Sequence, residues 1–392
     1  MRENNLLDFN MYEQSLTQNV KQPNGAYSKQ ATPPPNLTTK DITENGEYSA
    51  AEDNADGYSS VTVDVSGGGG LSGTDVKFYD YDGTVVYSYS AEDFLALTEL
   101  PANPTHEGFN AQGWNWTLAD MKAHVTTFGN CAAGQMYTTS DGKTKYYIRM
   151  SEYDIEDSVG LIISSTDTSS IEVDWGDGSD PQTYTSSDYV SGVSHTYAAA
   201  GAYTITLEVT SGIITVGGEY TIYPNSSILH GLVIGDNVDV LTIYSCSNLN
   251  YISIPYGVTK ASFTGGNNCL PFVILPNSIT QIWDDDFQQY VGLHTVVTPN
   301  SLTQIGSYSG AFSECKALSN LVIPDRVTAL NCTLAGTMSS IDIPNSVTSI
   351  DLNCFSSCYA LTNINIDNTE GAISGAPWGN YGYVIVNWLR DE

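Results

Sequence analysis

The stretch Leu321-Val322-Ile323-Pro324-Asp325-Arg326-Val327-Thr328-Ala329-Leu330 decides the fold of the C-terminal part of this chain. It places apolar residues on either side of one variable position, then a proline, two turn residues, and an apolar-Thr-x-apolar ending. Related stretches begin at Leu232, Ile252, Val273, Val296, Ile341 and Ile364, so the seven starts lie 20, 21, 23, 25, 20 and 23 residues apart. Periods of about 20–50 residues are the sequence signature of a solenoid. The sequence therefore predicts a stacked repeat domain over residues 225–392.

Each repeat has a part that predicts a strand and a part that predicts a turn. Ile341 and Ile343 alternate around Asp342, which is the period-2 pattern of a strand with one buried face, and Pro344 then ends the strand. A second signature, Phe-x-x-Cys-x-x-Leu, has a spacing of three that lines one face of a helical or 3₁₀ turn. It occurs at Phe312/Cys315/Leu318 and Phe355/Cys358/Leu361, and as Phe287/Tyr290/Leu293 with tyrosine in the cysteine slot. Neither part can bury its apolar face alone, so we expect the repeats to stack.

The run Gly310–Leu318 followed by Leu321–Leu330 closely resembles the BspA-like leucine-rich repeats of bacterial surface antigens. The resemblance covers roughly residues 228–375. It implies a solenoid with an extended surface suited to recognising proteins or glycans. The copies at Leu232 and Ile364 lack the proline, so we interpret them as caps, and Val384–Trp388 as the closing strand.

Composition excludes two classes of partner. The 392 residues contain 44 acidic and 13 basic side chains, a formal net charge of -31. No basic face exists to neutralise phosphates, which argues against nucleic acid and equally against anionic membrane surfaces. No apolar run approaches the ~20 residues that a membrane span needs. We therefore predict no nucleic-acid partner and no membrane insertion.

The N-terminal sequence bears on localisation. Met1–Val20 has no continuous apolar segment and no small-residue cleavage site, so it is not a secretory signal peptide. Repeats typical of exported proteins without an export signal favour a virion component, assembled in the cytoplasm, released by lysis and displayed on the virion surface. A removed signal and a cytoplasmic protein remain alternatives.

Three N-terminal segments precede the folded modules. Residues 1–35 predict an anchoring tail that ends in the stiff spacer Pro33-Pro34-Pro35. Residues 36–65 predict a small β module, with a turn at Asn45-Gly46 and strict alternation over Val61–Val65. This module resembles one found near the start of phage tail, baseplate and head-fibre proteins. Residues 66–73 form a Gly/Ser linker.

Residues 74–144 resemble the internalin-type B repeat, which implies a β-grasp-like spacer domain. The resemblance follows from two predicted strands (76–79 and 85–89) joined through Asp82-Gly83, a predicted helix (91–97), a Pro-rich turn, a Gly-Trp element and a second helix (117–125). Trp114 and Trp116 lie on one face of an extended segment. They are candidates for stacking on sugar rings, and the alternative is that they anchor a small core.

Residues 145–224 closely resemble the polycystic-kidney-disease (PKD) domain, which implies an Ig-like β-sandwich. The motif is the strand and turn of Ile171–Ser179, followed by His195-Thr196-Tyr197 and the strand 201–209. Asp174, Asp177 and Asp180 cluster around one turn and form a candidate Ca²⁺ site. Because Asp-Gly is also ordinary turn chemistry, the sequence leaves both interpretations open. We expect no other cofactor.

Cysteines and histidines do not form a reactive motif. The seven cysteines show no zinc spacing, and we expect reduced thiols that act as small apolar fillers. The five histidines are scattered, His195 matches a structural PKD position, and no nucleophile elbow, zincin pair or phosphate loop is present. Paired carboxylates for glycoside cleavage stay open because only their separation would identify them. We predict that the protein is not an enzyme.

The sequence thus predicts a multidomain, mainly β protein: a small β module, a β-grasp-like domain, an Ig-like sandwich and a leucine-rich-repeat solenoid, arranged as a rod. Our leading hypothesis is a phage tail or head fibre, homo-oligomeric in the assembly. Residues 1–65 would bind other virion proteins, and residues 225–392 would bind a host-surface glycan or protein. Because bacterial envelopes are anionic too, binding would need Ca²⁺ bridges or neutral sugars. The alternatives are a bacterial BspA-like adhesin and a purely structural capsid or tail decoration.

Overall fold

The structure is a computed structural model in which the chain divides into two compact units, Met1–Gly69 and Gly70–Glu392. It describes residues 75–391 except 155–157, 190–191, 219–220, 224–225, 267–268, 285, 307–309, 332–333, 335 and 381. Before residue 75 it describes only four short strands.

The first unit contains two short antiparallel pairs. Strands β1 (Thr17–Lys21) and β2 (Tyr27–Ala31) form one, and β3 (Glu52–Asp53) and β4 (Ser59–Ser60) form the other. The first pair lies within residues 1–35, where the sequence predicted only a tail. The turn predicted at Asn45-Gly46 and the strand predicted over Val61–Val65 lie outside the described residues.

Residues 75–139 form a mixed four-stranded sheet with two helices, and we refer to this segment as the covering module. Its elements are β5 (Asp75–Tyr79), β6 (Val85–Ser90), α1 (Ala91–Ala96), β7 (Phe109–Trp114), α2 (Leu118–Phe128) and β8 (Cys131–Thr139). The strand order is β6-β5-β8-β7, with β5 and β8 parallel. Ser90 and Thr117 cap the helices by accepting hydrogen bonds from the backbone N–H three residues on. The two predicted strands and both predicted helices are therefore confirmed.

Residues 144–223 are made of short, mostly antiparallel strands around an aromatic core. The strands are β9 (Thr144–Met150), β10 (Val159–Leu161), β11 (Ile163–Ser164), β12 (Ser170–Asp174), β13 (Gln182–Thr185), β14 (Val193–His195), β15 (Gly201–Ser211), β16 (Ile214–Val216) and β17 (Ile222–Tyr223). Trp175 and Tyr197 are buried, and the Tyr197 hydroxyl donates to the Trp175 carbonyl at 2.8 Å. The buried hydroxyl is thereby satisfied.

Residues 226–388 form a solenoid of two strand series, preceded by a 3₁₀ turn at Ser226–Ile228. The first series is β18 (Leu229–Val233), β20 (Tyr251–Ser253), β22 (Phe272–Ile274), β24 (Thr295–Val297), β26 (Asn320–Leu321), β28 (Ser340–Ile343), β30 (Asn363–Ile366) and β31 (Ile385–Trp388). The second is β19 (Val238–Tyr244), β21 (Lys260–Thr264), β23 (Gln281–Ile282), β25 (Gln304–Ile305), β27 (Ala329–Leu330) and β29 (Ser349–Ile350). All seven predicted starts fall in the first series, and the predicted closing strand pairs in parallel with β30. The predicted stacking is confirmed.

The signature residues of each repeat bind the repeat before it. Phe287 stacks between Phe263 and Phe312, with ring centroids 4.5 and 5.4 Å away. The Cys315 thiol donates to the Phe287 carbonyl at 2.8 Å. At the threonine of the repeat pattern, Thr348 N donates to the Thr328 carbonyl at 2.9 Å. The sequence pattern is therefore a set of contacts between neighbours, which is why one repeat cannot be stable alone.

Most of the described cysteines match the expected buried fillers. Five are buried and one is exposed: Cys131, Cys246, Cys315, Cys354 and Cys358 on the one hand, and Cys269 on the other. Burial raises the pKa of the Cys315 thiol to about 12. The expectation is wrong for Cys269, and Cys332 lies outside the described residues.

The modules of the second unit are not successive segments of a rod, so that expectation is wrong for residues 75–391. Strand β9 pairs with β15 on one side and with β18 on the other, which gives one sheet of order β13-β12-β15-β9-β18-β20. The edge of β18, the first strand of the solenoid, is thereby paired with β9 of the preceding module. The covering module, in turn, packs against the solenoid.

Candidate ligand-binding face

The first strand series presents two outward side chains per strand, because neighbours in a strand alternate between the two faces. We call the outward residues of β20 to β26 the covered face: Tyr251, Ser253, Phe272, Ile274, Thr295, Val297, Asn320 and, directly after β26, Val322. We call the outward residues of β28, β30 and β31 the open face: Ser340, Asp342, Asn363, Asn365, Ile385 and Asn387. The two faces continue one another along the solenoid.

The covering module lies on the covered face through small residues of β8. Ile274, Val297 and Val322 share a single apolar cluster with Phe78, Trp116 and other core residues of that module. Gly134 approaches so closely that an added Cβ would lie 2.6 Å from Ile274 Cγ2. The ring of Tyr79 packs against Phe272 with centroids 5.4 Å apart. The covered face is thus a module interface and is closed to other ligands.

Asn115 and Trp116 fix the module to the solenoid backbone. The Asn115 amide donates to the carbonyls of Leu275 (2.9 Å) and Val297 (3.2 Å) and accepts from Gly134 N at 2.7 Å. The Trp116 indole N–H donates to the Thr298 carbonyl at 2.7 Å. These bonds satisfy buried backbone groups, and the Val297 carbonyl also accepts from Leu275 N at 3.1 Å.

The structure corrects the sugar-stacking hypothesis for Trp114 and Trp116. Their side chains are 6 % and 2 % exposed, and the Trp114 indole N–H donates to the Pro101 carbonyl at 2.9 Å. Neither ring has a free face for a sugar. The pair anchors the covering module instead, which is the alternative that the sequence left open.

The open face carries a ladder of amide side chains. Asn365 Nδ2 donates to Asp342 Oδ1 at 2.7 Å, and Asn387 Nδ2 donates to Asn365 Oδ1 at 2.8 Å. Asn130 of the covering module starts the ladder by donating to Asp342 Oδ2 at 2.8 Å. Each asparagine amide carries two donors and an acceptor, so the ladder leaves capacity to exchange hydrogen bonds with hydroxyl groups of a ligand.

The surroundings of the open face are apolar and nearly uncharged. Residues 371–389 contain no Asp, Glu, Lys or Arg, although the chain as a whole has a formal charge of -31. Arg390, which follows, is paired with both oxygens of Asp367 at 2.8 Å. Three of the ten large hydrophobic side chains that are exposed in the described residues lie in this part of the chain: Tyr383, Ile385 and Leu389. Exposed apolar surface rimmed by polar groups is typical of a binding site.

A narrow cleft lies where the covered face meets the open face. Strands β26 and β28 belong to separate sheets, and the cleft opens between them under His124 and Asn130. Its volume is about 20 Å³, which is room for about one group of the size of water. Its floor consists of residues 319–323 and 340–342.

The structure does not bring Asp174, Asp177 and Asp180 together as a calcium site. Asp174 accepts from Gly176 N at 2.9 Å, and Asp180 is exposed. Asp177 accepts from the Ser179 hydroxyl and N–H at 2.6 and 3.0 Å and contacts His195 Nε2 at 2.7 Å. These partners lower the pKa of Asp177 to about 2, the Ser179 hydroxyl most of all. In the part of the chain that the structure describes, no group of three or more His, Cys, Asp or Glu side chains could hold a metal. The carboxylates of Asp174 and Asp177 therefore stabilise the turn by accepting these hydrogen bonds.

Sequence reasoning missed both the ladder and the cleft, although one signal was readable. The variable outward position of the repeat is apolar at Ile274, Val297 and Val322 and polar at Asp342, Asn365 and Asn387. An apolar outward position in consecutive repeats indicates that something covers that stretch. The cleft gave no such signal, because its roof comes from residues nearly 200 positions away in sequence.

Comparison with known proteins identifies the repeats. The BspA type leucine-rich repeat region matches residues 241–362 and 331–376, in six copies. The solenoid therefore carries leucine-rich repeats of the BspA type, as the sequence predicted.

One solved structure and two negative findings complete the comparison. A leucine-rich repeat protein from Bacteroides ovatus ATCC 8483 is 21 % identical, with a TM-score of 0.34, over 41 % of this chain and 42 % of that one. This chain thus spans less than half the length of that protein. No curated protein matches the chain. Among the described helices, neither has the length and apolarity to cross a membrane.

Proposed function

We propose that this chain is a surface-binding protein, not an enzyme, whose open face binds a glycan or protein on a cell surface. The observation that carries the proposal is the division of one continuous strand face into a covered part and an open part. The open part combines an amide ladder with the exposed side chain of Ile385, and the exposed residues Tyr383 and Leu389 flank the same strand β31. BspA-like repeat proteins are typically surface and adhesion proteins, which supports the same role.

The charge distribution favours an uncharged or cationic ligand surface. A protein with a formal charge of -31 is repelled by an anionic envelope at long range. The open face avoids this repulsion locally because the surrounding residues 371–389 are uncharged. Hydroxyl groups of a neutral glycan match the donors and acceptors of the asparagines. Several such contacts in a homo-oligomer would add through avidity.

For the setting, we propose the surface of a phage virion, with residues 1–65 bound to other virion proteins. The resemblance of residues 36–65 to modules of phage tail and head fibres supports this setting. A BspA-like adhesin on a bacterial surface is an equally good setting for the same open face. Immunogold labelling of residues 225–392 on purified particles and on producing cells distinguishes the two, since label on cells alone would leave the adhesin.

The binding role is tested by the attachment of the labelled full-length chain to bacterial cells. Asn365→Ala and Ile385→Asp alter the open face, whereas Tyr153→Ser alters an exposed residue far along the chain and serves as the matched control. We expect the two open-face variants to lose at least about tenfold in attachment, which is about 1.4 kcal/mol, and the control to attach normally. Normal attachment of both open-face variants would leave a decoration that binds nothing.

A further inference from the structure

The cleft between β26 and β28 contains a buried polar atom with no partner. His124 is 1 % exposed and lines the cleft. Its Nδ1 lies 2.7 Å from Asp325 Oδ1, but its Nε2 has no hydrogen-bond partner among the described residues. The ring is held in place by Trp116 and Phe128, whose ring centroids lie 5.7 and 4.9 Å away. A buried polar atom without a partner is uncommon and indicates an occupant such as water, an ion or a ligand group.

The Asp325 carboxylate determines what His124 offers to that occupant. A carboxylate only accepts hydrogen bonds, so the short contact places the imidazole proton on Nδ1. In the neutral ring, Nε2 is then an acceptor. The cleft therefore presents a fixed acceptor on a side chain that packing keeps from rotating.

The remaining lining adds acceptors and negative charge. Asp342 lies on the floor, and its two oxygens accept from Asn130 and Asn365 but keep further lone pairs. Ser340 contributes a hydroxyl, and the lining contains no Lys or Arg. Arg326, which follows Asp325 in the chain, contacts Asp120 at 3.4 Å instead. A cleft lined by one sign of charge concentrates ligand groups of the opposite sign.

We propose that this cleft is a subsite for a protonated primary amine of the ligand that lies on the open face. An ammonium group has three donors and no acceptor, which matches His124 Nε2, the Asp342 carboxylate and the Ser340 hydroxyl. Because the neighbouring open face matches hydroxyl groups, the amine belongs to a glycan with free amino sugars. This inference rests on the proposed function and adds the ligand class.

The test compares glucosamine tetrasaccharide with its N-acetylated counterpart and with a tetralysine peptide, each titrated calorimetrically into the full-length chain. The pH is set so that the amines are protonated. We expect the free amino sugar to bind at least about tenfold more tightly than the acetylated one, because acetylation removes the charge and two donors. Asn387→Ala is expected to weaken both sugars alike, since it changes the open face at a residue whose hydrogen bond goes to Asn365 and not to the cleft lining.

Two substitutions isolate the acceptor. In His124→Asn the side-chain amide can still donate to Asp325, but nothing replaces Nε2, so the preference for the free amine should fall to about one. In His124→Gln the longer side chain returns a polar group to the Nε2 position, so part of the preference should return. Urea unfolding of both variants shows whether they fold. In the native chain, ¹⁵N NMR of the His124 ring gives a second, independent measure of ligand binding at Nε2. The Nε2 resonance should shift with the amino sugar and stay with the acetylated one.

Equal binding of the two sugars, binding of neither, or tighter binding of tetralysine would each overturn the amino-sugar subsite. An unchanged preference in folded His124→Asn would do so as well. None of these results affects the attachment of native chain to cells, which tests the proposed function separately.

Discussion

The covered and open faces use the same outward positions on different strands of the first series, but they are stabilised in different ways. Ile274 and Val297 have their outward surface buried by a second module, whereas Asn365 and Asn387 lie at the equivalent position and bond to each other, with Asp342 as the next member of the ladder. Burial of apolar surface contributes roughly 25 cal/mol per Å² to the free energy of folding, but a partly exposed amide pair contributes little. The comparison teaches that burial against the covering module stabilises the first part of this face, while the second part stays accessible for recognition.

The largest expected effect is the loss of the Asn115 side chain. Asn115→Ala removes three hydrogen bonds and takes this partner from the buried Leu275 carbonyl and the Gly134 N–H, whereas the Val297 carbonyl keeps its bond from Leu275 N. We expect the free energy of unfolding to fall by roughly 3 kcal/mol or more. Asn363→Ala, on the open face, should change it by about 0.5 kcal/mol or less. Urea denaturation of both variants is the measurement, and similar losses would contradict the division into two faces.

A smaller effect is expected for the two tryptophans, which form a matched pair. Trp116→Phe removes a donor to the solenoid, and Trp114→Phe removes a donor to Pro101 within the covering module. Each substitution should lower the free energy of unfolding by about 1–3 kcal/mol. Of the two indole hydrogen bonds, only that of Trp116 joins the covering module to the solenoid. We therefore expect only Trp116→Phe to increase hydrogen exchange in both Ala132–Gly134 and β24. Increased exchange at both places in Trp114→Phe would show that the interface is not local.

How far the fold could be predicted follows from where its contacts lie in the sequence. Repeats such as 321–330 can be recognised because Phe312 and Cys315 contact residues only one period away. The covering module could be predicted as strands and helices, yet not its position, because Asn115 binds carbonyls 160 and 182 residues away. No periodicity or local propensity records contacts at such separations. The prediction that Trp114 and Trp116 stack on sugar rings was wrong for that reason, since the surface that buries Trp116 comes from a distant part of the chain.

A pH dependence should arise in the covering module. The hydrogen bond that His106 donates to the Asp80 carboxylate, over 2.6 Å, raises the pKa of His106, so the folded state holds this proton more tightly than the unfolded state. The stabilisation is complete below the unfolded pKa of about 6.5 and is lost as the pH rises through the higher folded value. We expect the urea midpoint to fall as the pH rises above about 6.5, and the fall to be reduced in His106→Gln. The same slope in both proteins would assign the dependence to other groups.

The smallest effect on stability, and the most informative, is expected for Asn365→Ala. Asn365 occupies the pleat position of Ile274 in the open face, and its ladder bonds to Asp342 and Asn387 are only partly buried. Its loss should change the free energy of unfolding by about 0.5 kcal/mol or less, because water replaces the lost partners. Ile274→Ala at the matched position should cost about 2–5 kcal/mol, since it leaves a cavity beneath Gly134. Differential scanning calorimetry of the pair measures both. A large loss for Asn365→Ala would mean that the ladder stabilises the last repeats, and its role in recognition would then have to be judged from attachment alone.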